Sequence, residues 1–233
     1  MDPEPLSNAL LTTASTAGSP SFRENRFVHW VCIGLLVAFA VSAYRPDTYF
    51  DWALENGAIV LCLFPLMGFT YRRFVFSDLS YLLMFLFVCL HEFGAHYKYS
   101  DVPLGEWMKP LLHTTRNHFD RLAHFSFGFM FAYPMREIAL RVYRVSGRWL
   151  YLLPIECTLA LSAIYEIMEA FMANILTPAR GEEFVGMQGD MWDSQEDMFM
   201  AGLGSVAAVL VIAAVLKVRA PKKEMAEYAV ASK

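Results

Sequence analysis

"GDMWDSQEDMFMAGLGSVAAVLVIAAVLKV" (residues 189–218) carries four acids in its first ten residues and then one charge, Lys217, in the following twenty. A bilayer core takes about 20 mostly apolar residues per helix, so the second part reads as a membrane span. It is entered through Asp190, Asp193, Glu196 and Asp197. Solvated acids at a membrane surface are ordinary. Acids with partners inside a bundle would mark a site.

The rest of the chain agrees with a membrane protein. Of its 233 residues 56% are hydrophobic and only 18% charged, with a mean hydropathy of +0.36, whereas soluble domains carry about 25% charge. Aromatic residues make up 15%, and Trp30, Trp52, Trp107, Trp149 and Trp192 fall near expected interfaces, as in an aromatic belt. The net charge of −4 and pI near 5.9 give no electrostatic case for nucleic acid. The expected partner is the lipid bilayer, and oligomeric state is not legible. Cys32, Cys62, Cys89 and Cys157 lie in apolar runs without paired spacing and read as buried small hydrophobes.

Six segments qualify as spans: 27–44, 55–71, 79–97, 122–140, 150–175 and 195–217. The second is short and contains Pro65; the fourth contains Gly128 and Pro134. The fold class expected is an all-α membrane protein, a six-transmembrane-helix bundle over 27–217. A disordered tail over 1–26 precedes it and a cytoplasmic tail over 218–233 follows. Six spans put both termini on one side, where 13 of the 19 Lys and Arg residues fall, against 6 opposite. The positive-inside rule places that side in the cytoplasm.

On this topology four polar motifs converge on the outer half of the bundle: "HEFGAHYKY" (91–99), "RNHFDRLAHF" (116–125), "YEIMEA" (165–170) and the opening acids. At about 100° per residue, Asp120 and His124 are i,i+4 neighbours, and Arg116 precedes Asp120 by the same step. Glu166 and Glu169 share a face. Asp190, Asp193 and Asp197 form one stripe if the last helix begins early; otherwise only Asp197 is fixed to a face. "HEFGAH" is not a zincin motif: the second histidine comes one residue late, so His91 and His96 stand roughly 140° apart on a helix. A charged carboxylate at mid-membrane costs about 2.5–3.5 kcal/mol on insertion scales, so Glu166 and Glu169 need partners.

The order of these motifs, with "RNHFDRLAHFSFGF" and "QGDMWDSQEDM", resembles the YjdF-like family of bacterial inner-membrane proteins over about residues 27–215. More distantly the chain is similar to VanZ-like membrane proteins, whose Asp-basic-x-x-His signature is matched by Asp120, Arg121 and His124. The intramembrane acid of that pattern corresponds to Glu166, and its late aspartates to Asp193 and Asp197. The resemblance implies a bacterial inner membrane and supplies no reaction.

Three readings of the polar residues follow. In a metal-dependent membrane enzyme, Glu166, Glu169, Asp190, Asp193 and Asp197 would hold Zn, Mn, Fe or Mg. His124 and Asp120 would be catalytic, acting on an envelope or lipid-linked substrate. Arg116 and Arg121 would bind a substrate phosphate or carboxylate, with His118, His96 and Tyr97 as further contacts. In a solute- or proton-binding protein the same acids and histidines would relay or bind cations, although no inverted repeat is visible. In a purely structural network, pairs such as Arg116–Asp120 and Arg121–Asp193 would pin helices together at roughly 0.6–2 kcal/mol each.

Overall fold

The computed structural model describes residues 21–58 and 64–219. Every regular element among them is helical: α1 (Arg26–Ser42), α2 (Tyr49–Ala58), α3 (Phe64–Tyr71), α4 (Asp78–His96), α5 (Pro103–Leu112), α6 (Phe119–Arg141), α7 (Trp149–Ile175), α8 (Pro178–Val185) and α9 (Asp193–Arg219). The all-α expectation holds. Local chemistry sets several boundaries. The Asn25 side chain accepts from Val28 N (3.1 Å) and Ser77 Oγ from Ser80 N (3.4 Å), each satisfying an orphan donor at a helix start. Pro103 opens α5, where its missing N–H is harmless, and His113 closes it in the left-handed conformation. Most of the expected tails, residues 1–20 and 220–233, lie outside the described residues. Phe22–Glu24 already form a 3-10 turn ahead of α1.

By length and composition α4, α7 and α9 can cross a membrane, and α1 is a shorter apolar helix. Exposed Leu36, Val41, Ile164, Phe171 and Leu210 give these helices an apolar outer surface, as acyl chains require. The expected span 55–71 is divided: 55–58 end α2, 64–71 form α3, and 59–63 lie outside the described residues. The expected span 122–140 lies within α6, which holds buried Arg121, Arg136 and Glu137. This helix is polar because it is central, packed against α4, α7 and α9.

Contacts fix the helix directions. Gly34 meets Phe85, and Ser42 meets Glu92, so α1 and α4 run parallel. Glu137 accepts from Ser77 N and Oγ (both 2.9 Å) at one end of α4, while Phe119 packs on Gly94 at the other, so α6 runs antiparallel to it. Thr158 donates to Met135 Sδ (3.6 Å) and His124 meets Glu166, so α7 reverses again. Helices α6 and α9 are parallel and cross at glycines. A β-carbon on Gly128 would run into the carbonyl of Ala201, and one on Gly204 into that of Phe125. Small residues here let two backbones touch. Gly202 has a different neighbour, the Leu159 side chain of α7.

One expectation about the cysteines is corrected. Cys157 is exposed on the apolar outer surface, and Cys32 and Cys89 are partly buried; all three are free thiols. A cysteine in an apolar run of a membrane helix can face lipid as readily as core. Cys62 lies outside the described residues.

Candidate functional site

The opening acids meet two arginines. Because α9 begins at Asp193, the carboxylates of Asp193, Glu196 and Asp197 sit on its first turns. Asp190 precedes the helix, and its Oδ1 accepts from Trp192 N (2.9 Å). The N-terminus of α6 lies alongside. From it Arg121, 5% exposed, reaches Asp193 Oδ1 (2.8 Å), Asp190 Oδ2 (3.3 Å), Glu196 Oε2 (3.1 Å) and Asp197 Oδ2. Arg116 pairs with Asp193 and donates to the carbonyls of Met187 and Gly186. Acids are favoured at the positive ends of two parallel helix dipoles, and a guanidinium fork serves several carboxylates at once. The structure thus engages Arg116 and Arg121 with Asp190 and Asp193, residues that had been assigned to anion and metal binding. Arg116 turns to Asp193 rather than to Asp120, while the Arg121–Asp193 pair forms.

Beside this knot, Asp120, His124 and Asp197 each bring one ligand atom within 4.8 Å of the others. His124 Nε2 lies 3.7 Å from Asp120 Oδ1 and 3.3 Å from Glu166 Oε1. Its other nitrogen, Nδ1, is 3.3 Å from Ser162 Oγ, a contact that orients the ring. Arg121 engages one oxygen of Asp197; the other, Oδ1, is buried without a hydrogen-bond partner, and so is Glu166 Oε1. Two carboxylates, an imidazole and a third acid nearby are donor types that could hold zinc, manganese or iron.

Asp120 also lines a small cleft together with Asp51, Glu55, Lys98, Tyr99, Tyr165 and Glu169. Glu169 therefore faces this cleft, while Glu166, one turn away, faces His124. Lys98 Nζ stands 3.7 Å from Asp51, and Tyr165 Oη donates to Glu55 (3.4 Å). Burial and the carboxylates Glu55, Asp120 and Glu169 hold the Tyr99 phenol well above its ordinary pKa, so it keeps its proton, and its Oη lies 2.6 Å from His91 Nδ1.

The remaining candidates stand elsewhere. His96 Nδ1 is 2.9 Å from the Ser42 carbonyl, and the Tyr97 ring packs edge-on against Phe93. His118 is the N-cap residue of α6; burial, then Arg116 and Arg121, lower its pKa, so it is neutral at pH 7. None of the three lines the cleft. Sequence reasoning missed Asp51 and Glu55, although their i,i+4 spacing in "DWALE" was a usable signal. It offered no spacing that would single out Tyr99 or Tyr165.

A latch ties the start of α6 to α5 and to the loop before α9. Asn117, fully buried, donates to Val102 O (3.0 Å) and Glu106 Oε1 (2.8 Å) and accepts from Phe119 N (3.1 Å). Its backbone exchanges two bonds with the Gln188 side chain (2.9 and 3.1 Å). Gly105 leaves room for it, since a β-carbon there would strike the Asn117 amide. Hydrogen bonds from Lys109 and Asn117 lower the pKa of Glu106 and keep it an acceptor. Asn117→Ala orphans a buried carbonyl and the first N–H of α6, so we expect a loss of about 2–4 kcal/mol. Thermal unfolding in detergent, with faster proteolysis of the 98–118 segment, checks this; an unchanged melt would contradict it.

Residues 27–218 match the family described as predicted membrane protein (DUF2238). The chain belongs to this family. It is 35% identical over 180 residues to "Inner membrane protein YjdF" of Escherichia coli (strain K12), covering 77% of this chain and 84% of that one. The YjdF-like resemblance is thereby borne out; the VanZ-like one gains nothing from these matches. No solved structure matches the chain significantly.

Proposed function

We propose that this is a six-span inner-membrane enzyme, with cytoplasmic termini, that uses a divalent metal held by Asp120, His124 and Asp197. The parallel course of α1 and α4 supports six crossings, because residues 43–77 must carry the chain back across the bundle between them. The YjdF relative's name supports the inner membrane. The metal reading is carried by one observation: three ligand atoms converge within 4.8 Å, and Arg121 leaves one buried oxygen of Asp197 without a donor. Glu166 completes the set or serves as a base. Three protein ligands with a side open to a cleft are the arrangement of catalytic rather than structural sites. A bound ion supplies Lewis acidity and lowers the pKa of water. With both arginines engaged by aspartates and four carboxylates lining the cleft, a substrate group bearing an amine or other positive charge fits better than a phosphate. The Arg116–Arg121 knot itself is structural, joining α6 to α9.

Adding Zn, Mn or Fe to metal-stripped protein at about 100 times Kd is expected to raise its stability by about 2.7 kcal/mol. The gain should vanish in Asp197→Asn. A flat response of the wild type to all of these ions would contradict the reading.

A further inference from the structure

The stretch "HEFGAH" (91–96) has zincin composition without zincin spacing, and the metal centre does not use it. Its Glu92 is nevertheless only 2% exposed, where α4 meets the end of α1 and the end of α2. One oxygen, Oε2, accepts from Ser42 Oγ, which is itself held by Trp52 Nε1 (3.1 Å). The other, Oε1, is buried with no hydrogen-bond partner. Asn56 of α2, also 2% exposed, hydrogen-bonds the same carboxyl through its side chain. Its amide nitrogen donates to the Trp52 carbonyl (3.0 Å), which settles which end is oxygen. That oxygen, Oδ1, is buried without a donor as well.

Two neighbouring acceptors therefore lack any donor, and one belongs to a carboxyl that has no Lys, Arg or His ion-pair partner among the described residues. The titratable groups nearby have other contacts. His91 Nδ1 lies 2.6 Å from Tyr99 Oη while its Nε2 is buried without a hydrogen-bond partner, His96 Nδ1 lies on the Ser42 carbonyl, and Asp51 and Glu55 of α2 line the cleft. An ionised carboxylate left uncompensated in a low-dielectric interior is strongly unfavourable.

We propose that Glu92 Oε1 and Asn56 Oδ1 together bind one small monovalent cation, a sodium ion or a proton. A proton on Oε1 would be donated to Oδ1 and satisfy both atoms at once. A sodium ion would take both as hard oxygen ligands. The site stands on α1, α2 and α4, apart from Asp120, His124 and Asp197, so it survives or fails independently of the metal centre.

The test is thermal unfolding of the detergent-purified protein in sodium, lithium, potassium and choline chloride at equal ionic strength. Infrared difference spectra of wild type against Glu92→Gln accompany it. Stabilisation by sodium over choline that disappears in Glu92→Gln assigns a sodium ion. Equal melting in all salts, with a protonated-carboxyl band missing from Glu92→Gln, assigns a proton. Equal melting with no such band overturns the proposal. Should Glu92→Gln not fold, Asn56→Ala replaces it: loss of the sodium effect or a shifted carboxyl band supports the site, and neither change overturns it.

Discussion

Arg121→Ala is expected to cost about 3–5 kcal/mol of folded stability, because it leaves buried carboxylates without their cation. Asp193 and Asp197 are 3% and 2% exposed, and both contact the Arg121 guanidinium. Arg116 still reaches Asp193, but Asp197 has no second arginine among the described residues. Glu196 is half exposed and contributes little to the loss. The diagnostic result is rescue: adding Asp197→Asn to Arg121→Ala should recover part of the melting temperature, since it removes the unpaired charge rather than restoring a bond. Arg121→Lys should fall between, because one ammonium cannot serve the positions of a fork. If Arg121→Ala melts like the wild type, the acids at the membrane entrance do not depend on it.

Gly204→Val is expected to be comparably damaging. Its β-carbon would occupy the place of the Phe125 carbonyl oxygen, and at Gly128 the obstacle is the Ala201 carbonyl. A side chain can rotate away from such an overlap, whereas a helix backbone can only move as a whole. The loss should therefore reach or exceed the ~1–3 kcal/mol of ordinary overpacking. Since both glycines serve one crossing, Gly128→Ala with Gly204→Ala should cost less than the two separate losses added. Gly57→Ala is the control: nothing lies within 4 Å of its β-carbon position, and alanine gains helix propensity there, about 0.8–1 kcal/mol at most. Melting temperature and monodispersity in detergent read all of these variants. A Gly204→Val protein as stable as Gly57→Ala would refute the close crossing.

The legible part of this fold was what periodicity and local spacing encode. The apolar run after Asp197 announced α9, and the i,i+4 step placed Asp120 and His124 on one face, where the structure has them 3.7 Å apart. The partners of the arginines were not legible. Arg116 and Asp120 are neighbours on a helical wheel, yet Arg116 leaves the helix start to meet Asp193, because α6 and α9 lie side by side with their N-termini level. That is a tertiary fact with no local signature. Asp51 and Glu55 were hidden for another reason. Residues 55–71 had been assigned to a span, whereas Tyr49–Ala58 is a short separate helix that turns two acids toward the cleft. The expected fourth span carried the reverse lesson: its glycine and charges mark a central helix packed against α4, α7 and α9, and it is not among the described helices apolar enough to cross a membrane.

The most direct measurement is the metal content of the protein purified in detergent, for wild type, His124→Ala and Asp190→Asn. A metal centre on Asp120, His124 and Asp197 predicts near-stoichiometric zinc, manganese or iron in the wild type. It predicts the same in Asp190→Asn, whose carboxylate belongs to the arginine knot, and little in a folded His124→Ala. Wild-type protein without metal that also binds neither manganese nor magnesium on titration would contradict it, as would His124→Ala retaining the full complement.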